Sequence, residues 1–157
     1  VKYLCNEIYP ELLKRDDGFE LYVVGKNPPV EIEENSGLIK TGYVDDVMEY
    51  YSMCSAFVCP LRFGAGMKNK VLEAMSCGIP IVSSDVGVEG ILGVEDGSNF
   101  ILSSNLHQYV DAILKLKNDK EFSKSLGGNA RKLISEKYKW DSISATYMDV
   151  LYSISDK

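Results

Sequence analysis

Short apolar runs of strand length alternate along the chain with stretches whose apolar positions recur at helical spacing. Phe19 to Val24 reads as a strand closed by Gly25 and the turn-rich Lys26-Asn27-Pro28-Pro29. Leu38 to Tyr43, Ala56 to Pro60, Ile79 to Ser83 and Asn99 to Leu102 read as further strands. Between them, Asp46 to Met53 and Met67 to Cys77 fit helices, the second stopped by Gly78 with Pro80 just beyond. Val1 to Lys14 also fits a helix, with Tyr3, Leu4, Ile8, Leu12 and Leu13 apolar and Pro10 as the point of a kink. From Asn105 onward the pattern is helical throughout. Leu106, Tyr109, Val110, Ile113 and Leu116 form one stripe; Phe122, Leu126, Ala130 and Leu133 form a second, weakened in its middle by Gly127-Gly128. Ile143, Tyr147, Val150, Leu151 and Ile154 form a third. Strands separated by helices argue for parallel pairing through right-handed crossovers. The expectation is one doubly wound α/β domain over residues 1–157, in three layers, with a mainly parallel sheet of about five strands and a helical C-terminal region.

Composition narrows the partners. The chain has 157 residues and a net charge of -6, which argues against a nucleic-acid backbone as partner. No apolar run approaches membrane-span length and no signal-peptide pattern is present, so a cytoplasmic address is expected. Cys5, Cys54, Cys59 and Cys77 are scattered without a C-x-x-C pair and read as small buried hydrophobes, not a disulfide frame or zinc site. No metal site is expected.

The chemistry concentrates in Cys59 to Met75. A strand end leads into a glycine-spaced loop carrying cations, and then into a helix. Helix-start amides point outward unpaired with partial positive charge, so an anion is favoured there. Gly64 and Gly66 let the backbone approach a ligand closely, and Arg62, Lys68 and Lys70 add full charges. A phosphate or diphosphate is the fitting ligand. The plainer alternative, solvated charges on an ordinary loop, does not account for their place between two glycines and a helix start. Asp45-Asp46 resembles a magnesium-holding acid pair, but Asp46 with Glu49 three residues on is better explained as a helix cap. Glu89 falls in the loop after the fourth strand and either touches a ligand or caps a short helix. His107 has no partner in sequence and reads as a surface residue; Trp140 and Tyr147 read as packing residues.

The run Gly42-Tyr43-Val44-Asp45-Asp46-Val47, then Gly64-x-Gly66-x-Lys68-Asn69-Lys70-Val71-Leu72-Glu73-Ala74-Met75-x-x-Gly78-x-Pro80-x-Val82, resembles the C-terminal half of family 4 (group 1) retaining glycosyltransferases. Val88-Glu89-Gly90, Asn129-Ala130-Arg131 and Tyr138-x-Trp140 extend the likeness over nearly the whole chain. The resemblance implies the GT-B architecture, two Rossmann-like domains across a cleft, of which this chain is the donor-binding one. The N-terminal acceptor domain and the first strand of this domain are then absent. That leaves a gap between neighbouring strands, an altered sheet order, or an edge open to self-association. The implied donor is a nucleoside-diphosphate sugar, bound without a metal or other cofactor, in polysaccharide or glycoconjugate synthesis. Any membrane association at the inner face would come through the full-length enzyme.

The resemblance also implies roles. Arg62 and Lys68 are the expected catalytic cations, stabilising charge on the leaving diphosphate. Lys68 and the Gly64 to Met67 amides, those of Gly64, Gly66 and Met67 included, would hold the diphosphate with Arg62 assisting, and Asn69 and Lys70 would be further donor-binding residues. Glu73 would accept hydrogen bonds from the ribose hydroxyls. Gly25, Lys26, Gly42, Tyr43 and Val44 would meet the nucleobase, and Glu89 would lie near the donor. Eight residues before Glu73 stands Ala65, where the family's E-x7-E pattern has its first glutamate. That departure keeps a non-catalytic nucleotide-sugar-binding module open, beside half of a GT-B nucleotide-sugar epimerase. A receiver-like signalling domain does not fit, because the third strand ends at Cys59-Pro60-Leu61 without a phosphoacceptor aspartate.

Overall fold

In a computed structural model, residues 1–27, 37–139 and 144 are described. The stripe from Ile143 to Ile154, with Trp140 and Tyr147, lies outside the described residues. The chain opens with a π-helical segment, Leu4–Ile8, followed by α1 (Tyr9–Arg15). The wide turn sits directly ahead of Pro10, which has no N–H to give to an α-type bond, so the kink takes the form of a π bulge. Strands β1 (Leu21–Val24) and β2 (Leu38–Gly42), helix α2 (Met48–Met53), strand β3 (Phe57–Cys59), helix α3 (Asn69–Ser76) and strand β4 (Ile81–Ser83) follow. Then come α4 (Asp85–Val88), β5 (Ile101–Leu102), α5 (Leu106–Asn118) and α6 (Lys120–Lys137).

All strand pairings are parallel, as the alternation of strands and helices predicts. They form two sheets, one of two strands (β1-β2) and one of three (β3-β4-β5), not a single sheet of about five. The register runs Leu21↔Leu38 to Val24↔Gly42 in the first sheet, with a shift between Val23 and Val24. In the second it runs Phe57↔Ile81 to Cys59↔Ser83 and Val82↔Ile101. The sheet has not closed in an altered order. The ladder is interrupted because no strand among the described residues hydrogen-bonds to both sheets.

Packing across the interruption comes from the first helix. Cys5 and Tyr9 pack with Leu38, Leu21 and Val23 of the two-stranded sheet. Ile8 and Leu12, on the neighbouring face, pack with Val82, Tyr109, Val110 and Leu116. In β4 the two-residue period sends Ile81 and Val82 to opposite faces. Ile81 joins Val71, Ala74 and Met75 of α3 and Ala130 and Leu133 of α6, while Val82 joins the α5 cluster. That is the three-layer arrangement.

Two glycine positions explain how α3 and α6 meet. Gly78 has φ 75, and its N–H donates to Met75 O at 2.9 Å while Ile79 N–H donates to Ala74 O at 3.2 Å. Both bonds of a Schellman cap are present, so α3 stops where the sequence says it should. Gly127, expected to weaken its helix, is a packing requirement instead. A Cβ there would overlap the Gly78 carbonyl oxygen, and α6 runs unbroken from Lys120 to Lys137.

Candidate functional site

The glycine-rich loop leaves β3 at Pro60 and enters α3 through Lys68, which stands at the N-cap with an extended backbone. Gly64 (φ 145) and Gly66 (φ 74) adopt conformations that side-chain-bearing residues avoid, which is the local reason for glycine at both. Lys68 folds back over this loop. Its Nζ donates to the Gly66 carbonyl and comes within 3.9 Å of Glu89 Oε2, with only 17% of its side chain exposed. A Cβ on Gly64 would lie 3.8 Å from the same Nζ, and one on Gly90 would lie 3.7 Å from Met67. The loops at 64–68 and 89–90 are therefore in contact, and Glu89 belongs to the surroundings of Lys68.

The start of α3 lacks the side-chain cap that closes the starts of the three helices after it. Ser84 caps α4 by accepting from Gly87 N–H, Asn105 caps α5 through Gln108 N–H, and Asp119 caps α6 through Phe122 N–H. Helix α3 has no side-chain cap and no acidic residue in its first turn. Its first intrahelical bonds are from Val71 and Leu72 to Lys68 O, which leaves the Asn69 and Lys70 amides as donors without an intrahelical acceptor. Asn69 and Lys70 are exposed, and so are Gly64, Gly66 and Met67.

Arg62 goes elsewhere. Its guanidinium stacks over the Tyr3 ring at 3.8 Å from the centroid and lies 3.9 Å from Glu7. It lines a cavity of about 410 Å³ at the C-terminal ends of β3, β4 and β5, together with Tyr3, Leu61, Ser84, Asn105 and Tyr109. Arg62 and Lys68 are thus held by different partners. The Tyr109 hydroxyl is buried without a hydrogen-bond partner of ordinary geometry. Burial pushes its phenol up to about 12, against a lowering contribution from the Ser84 hydroxyl, which is committed to Leu61 O.

The residues expected near a nucleobase gather at the ends of β1 and β2. Gly25 N–H donates to Gly42 O at 3.1 Å, with φ 137 and 68 at the two glycines. Lys26 Nζ sits 4.5 Å from the centroid of the exposed Tyr43 ring, and Val44 is half-buried. Asp46 Oδ1 accepts from Met48 N–H at 2.8 Å, but the N-cap of α2 is Val47 without a side-chain cap bond, so Asp46 sits one residue outside the expected cap position. His107 is exposed.

Glu73 lies on the exposed side of α3, one turn beyond Asn69 and Lys70. Tyr51 of α2, which no motif in the sequence singles out, donates its hydroxyl to Glu73 Oε2 at 3.2 Å. The contact joins residues 22 apart, and no spacing rule reveals it. Burial, then the Glu73 charge, then this hydrogen bond raise the Tyr51 phenol above its ordinary value. Burial likewise raises the Cys59 thiol at the end of β3, offset by the Ser83 hydrogen bond and the Lys68 charge.

Over residues 1–119 the chain matches a family described as glycosyl transferases group 1. An uncharacterized glycosyltransferase of Methanocaldococcus jannaschii is 32% identical over 71% of this chain and 32% of that protein. The GDP-mannose-dependent alpha-(1-6)-phosphatidylinositol monomannoside mannosyltransferase of Mycobacterium tuberculosis is 24% identical over 90% of this chain and 41% of that protein. Anabaena HepE, solved in complex with UDP and glucose, superposes with a TM-score of 0.78 at 18% identity, over 93% of this chain and 44% of that one. At that identity the likeness shows the fold alone. The chain spans less than half the length of each of these proteins. Among the described residues, no helix is long and apolar enough to cross a membrane.

Proposed function

Because the chain belongs to the glycosyl transferases of group 1, we propose that it is the donor-binding domain of a retaining, metal-independent glycosyltransferase acting on a nucleoside-diphosphate sugar. The observation that carries this reading is the uncapped start of α3 facing a two-glycine loop, with Lys68 folded over both. A diphosphate would take the hydrogen bonds of the Asn69 and Lys70 amides and displace the Gly66 carbonyl and Glu89 from Lys68. In transfer, the bond from the anomeric carbon to the diphosphate oxygen breaks and one from the acceptor oxygen forms. The acceptor loses a proton and the nucleoside diphosphate leaves. Charge grows on the departing oxygen, so fixed donors and cations there stabilise the transition state more than the bound donor. Lys68 is the main cation in this scheme; Arg62, held by Tyr3 and Glu7, assists only by leaving them for the departing diphosphate.

Glu73 is assigned to the ribose hydroxyls, and Gly25, Lys26, Gly42, Tyr43 and Val44 to the base. Relatives name GDP-mannose in one case and UDP in another, which leaves the base open. The acceptor, and the second domain that brings it to the anomeric carbon, belong to the whole protein. This domain alone binds donor without transferring it. A second reading, a binding module without transfer, rests on Ala65 in place of the glutamate of the family pattern.

Calorimetric titration with UDP, GDP and ADP in the presence of a chelator tests the assignment. Saturable binding of at least one, reduced in Lys68→Ala, is expected. Affinity unchanged by Lys68→Ala removes the loop from the site. Transfer by a full-length relative carrying this loop sequence separates the enzyme from the binding module.

A further inference from the structure

Tyr51 is 7% exposed, and its ring is part of the core that α3 and α6 share with β4. The ring packs against Phe57 of β3 with centroids 6.3 Å apart at 55°. This leaves the hydroxyl at the edge of the core, 3.2 Å from Glu73 Oε2 and 3.4 Å from Lys70 O. Both acceptors are on α3, one turn apart. A tyrosine hydroxyl has one proton to give, and the carboxylate, charged and nearer, is the stronger acceptor. The raised phenol stays protonated at any working pH, so toward Glu73 it is always a donor.

Glu73 itself is exposed, and its Oε1 accepts no hydrogen bond from the described residues. A glutamate with one oxygen tied to a rigid buried ring and the other open is unlike a free surface glutamate. Ordering a free glutamate side chain costs rotamer entropy on binding. Here part of that cost is met before a ligand arrives.

We infer that Tyr51 is a positioning residue for the sugar-nucleotide ribose: it fixes the Glu73 carboxylate through Oε2 so that Oε1 meets the ribose hydroxyls. The inference rests on the donor-site reading above. Tyr51 touches no ligand in this scheme; it acts through Glu73, and the ligand group that reports it is the ribose diol.

The test compares a nucleoside diphosphate with its 2′,3′-dideoxy form, bound to the wild-type chain, Tyr51→Phe, Glu73→Gln and the double variant. Tyr51→Phe keeps the ring against Phe57 and removes only the hydroxyl. In the wild type the dideoxy form should bind roughly ten- to a hundredfold more weakly, the range for a hydrogen bond to a charged group. Glu73→Gln should bring the two ligands close together. Tyr51→Phe should weaken the ribose form about three- to tenfold and leave the dideoxy form unchanged. In the double variant, Tyr51→Phe should add nothing to Glu73→Gln.

A merely structural role for Tyr51 would weaken both ligands equally and add to Glu73→Gln, and that result overturns the inference. Discrimination lost in Glu73→Gln but kept in Tyr51→Phe also overturns it, while leaving the donor site standing. No saturable binding of any nucleoside diphosphate by the wild-type chain overturns the donor-site reading and the inference with it.

Discussion

β1 and β4 are both short parallel strands, and by sequence the first is the more apolar: Leu21-Tyr22-Val23-Val24 against Ile81-Val82-Ser83. Yet every residue of β1 is half-buried and every residue of β4, Ser83 included, is buried. β4 has a strand on either side and helices on both faces; among the described residues β1 has one strand neighbour, β2. Burial here follows the number of neighbours and not the hydrophobicity of the strand. The difference also divides the proposed site. The three-stranded part presents the glycine loop, Lys68 and the open helix start, where fixed geometry matters most to a growing charge. The two-stranded part presents Gly25, Lys26, Gly42 and Tyr43, which in the proposed scheme meet a flat base and tolerate a looser frame.

Equal apolar deletions in the two sheets should break the symmetry most strongly. Val82→Ala, at 0% exposure, is expected to cost about 3 kcal/mol, while Val23→Ala costs about 1. Urea unfolding measures both; similar losses would mean that β1 is as well enclosed as β4. Gly127→Ala comes next, at about 2–3 kcal/mol, because its Cβ overlaps the backbone oxygen of Gly78 and one helix has to move.

Ligand affinity sharpens the same comparison. Lys68→Ala should weaken nucleoside-diphosphate binding roughly ten- to a hundredfold, the range for a charged hydrogen bond. Lys26→Ala, whose cation sits over an exposed ring, should cost about threefold or less. Calorimetry on both variants checks the ratio, and a larger loss at Lys26 would shift the anchor to the two-stranded part.

The smallest effect concerns pH. The Tyr109 phenol, pushed up to about 12 by burial, stays protonated in the folded chain while the unfolded chain ionises near 10. Above pH 10 the unfolded state therefore holds fewer protons, so stability is intact below pH 10 and falls as pH rises toward 12. Tyr109→Phe should flatten part of that fall. At neutral pH it should stay within about 1 kcal/mol of the wild type, since the hydroxyl has no hydrogen bond to lose. Thermal melts from pH 8 to 12 measure it.

Much of this was legible in the chain. Each strand lies inside its apolar run, the α5 stripe is buried from Tyr109 to Leu116 with Leu106 half-buried at its start, and Gly78 ends α3 by the expected cap. What was not legible depends on contacts between distant residues. Gly127 looks like a helix-weakening residue until Gly78 is seen against it. Arg62 and Lys68 are close in sequence, but Tyr3 and Glu7 draw one away while Gly66 and Glu89 hold the other. Tyr51 carries no motif, because its partner is on another helix. The break between the sheets follows from pairing that no local period encodes.

The most direct measurement is the backbone amide NMR spectrum of the chain as the tightest-binding nucleoside diphosphate is added. The account expects saturable shifts at Gly64, Gly66, Asn69 and Lys70, with smaller ones at Gly25 and Gly42. Shifts confined to the cavity beside Arg62, at Leu61, Asn105 and Tyr109, with the glycine loop unmoved, would contradict it.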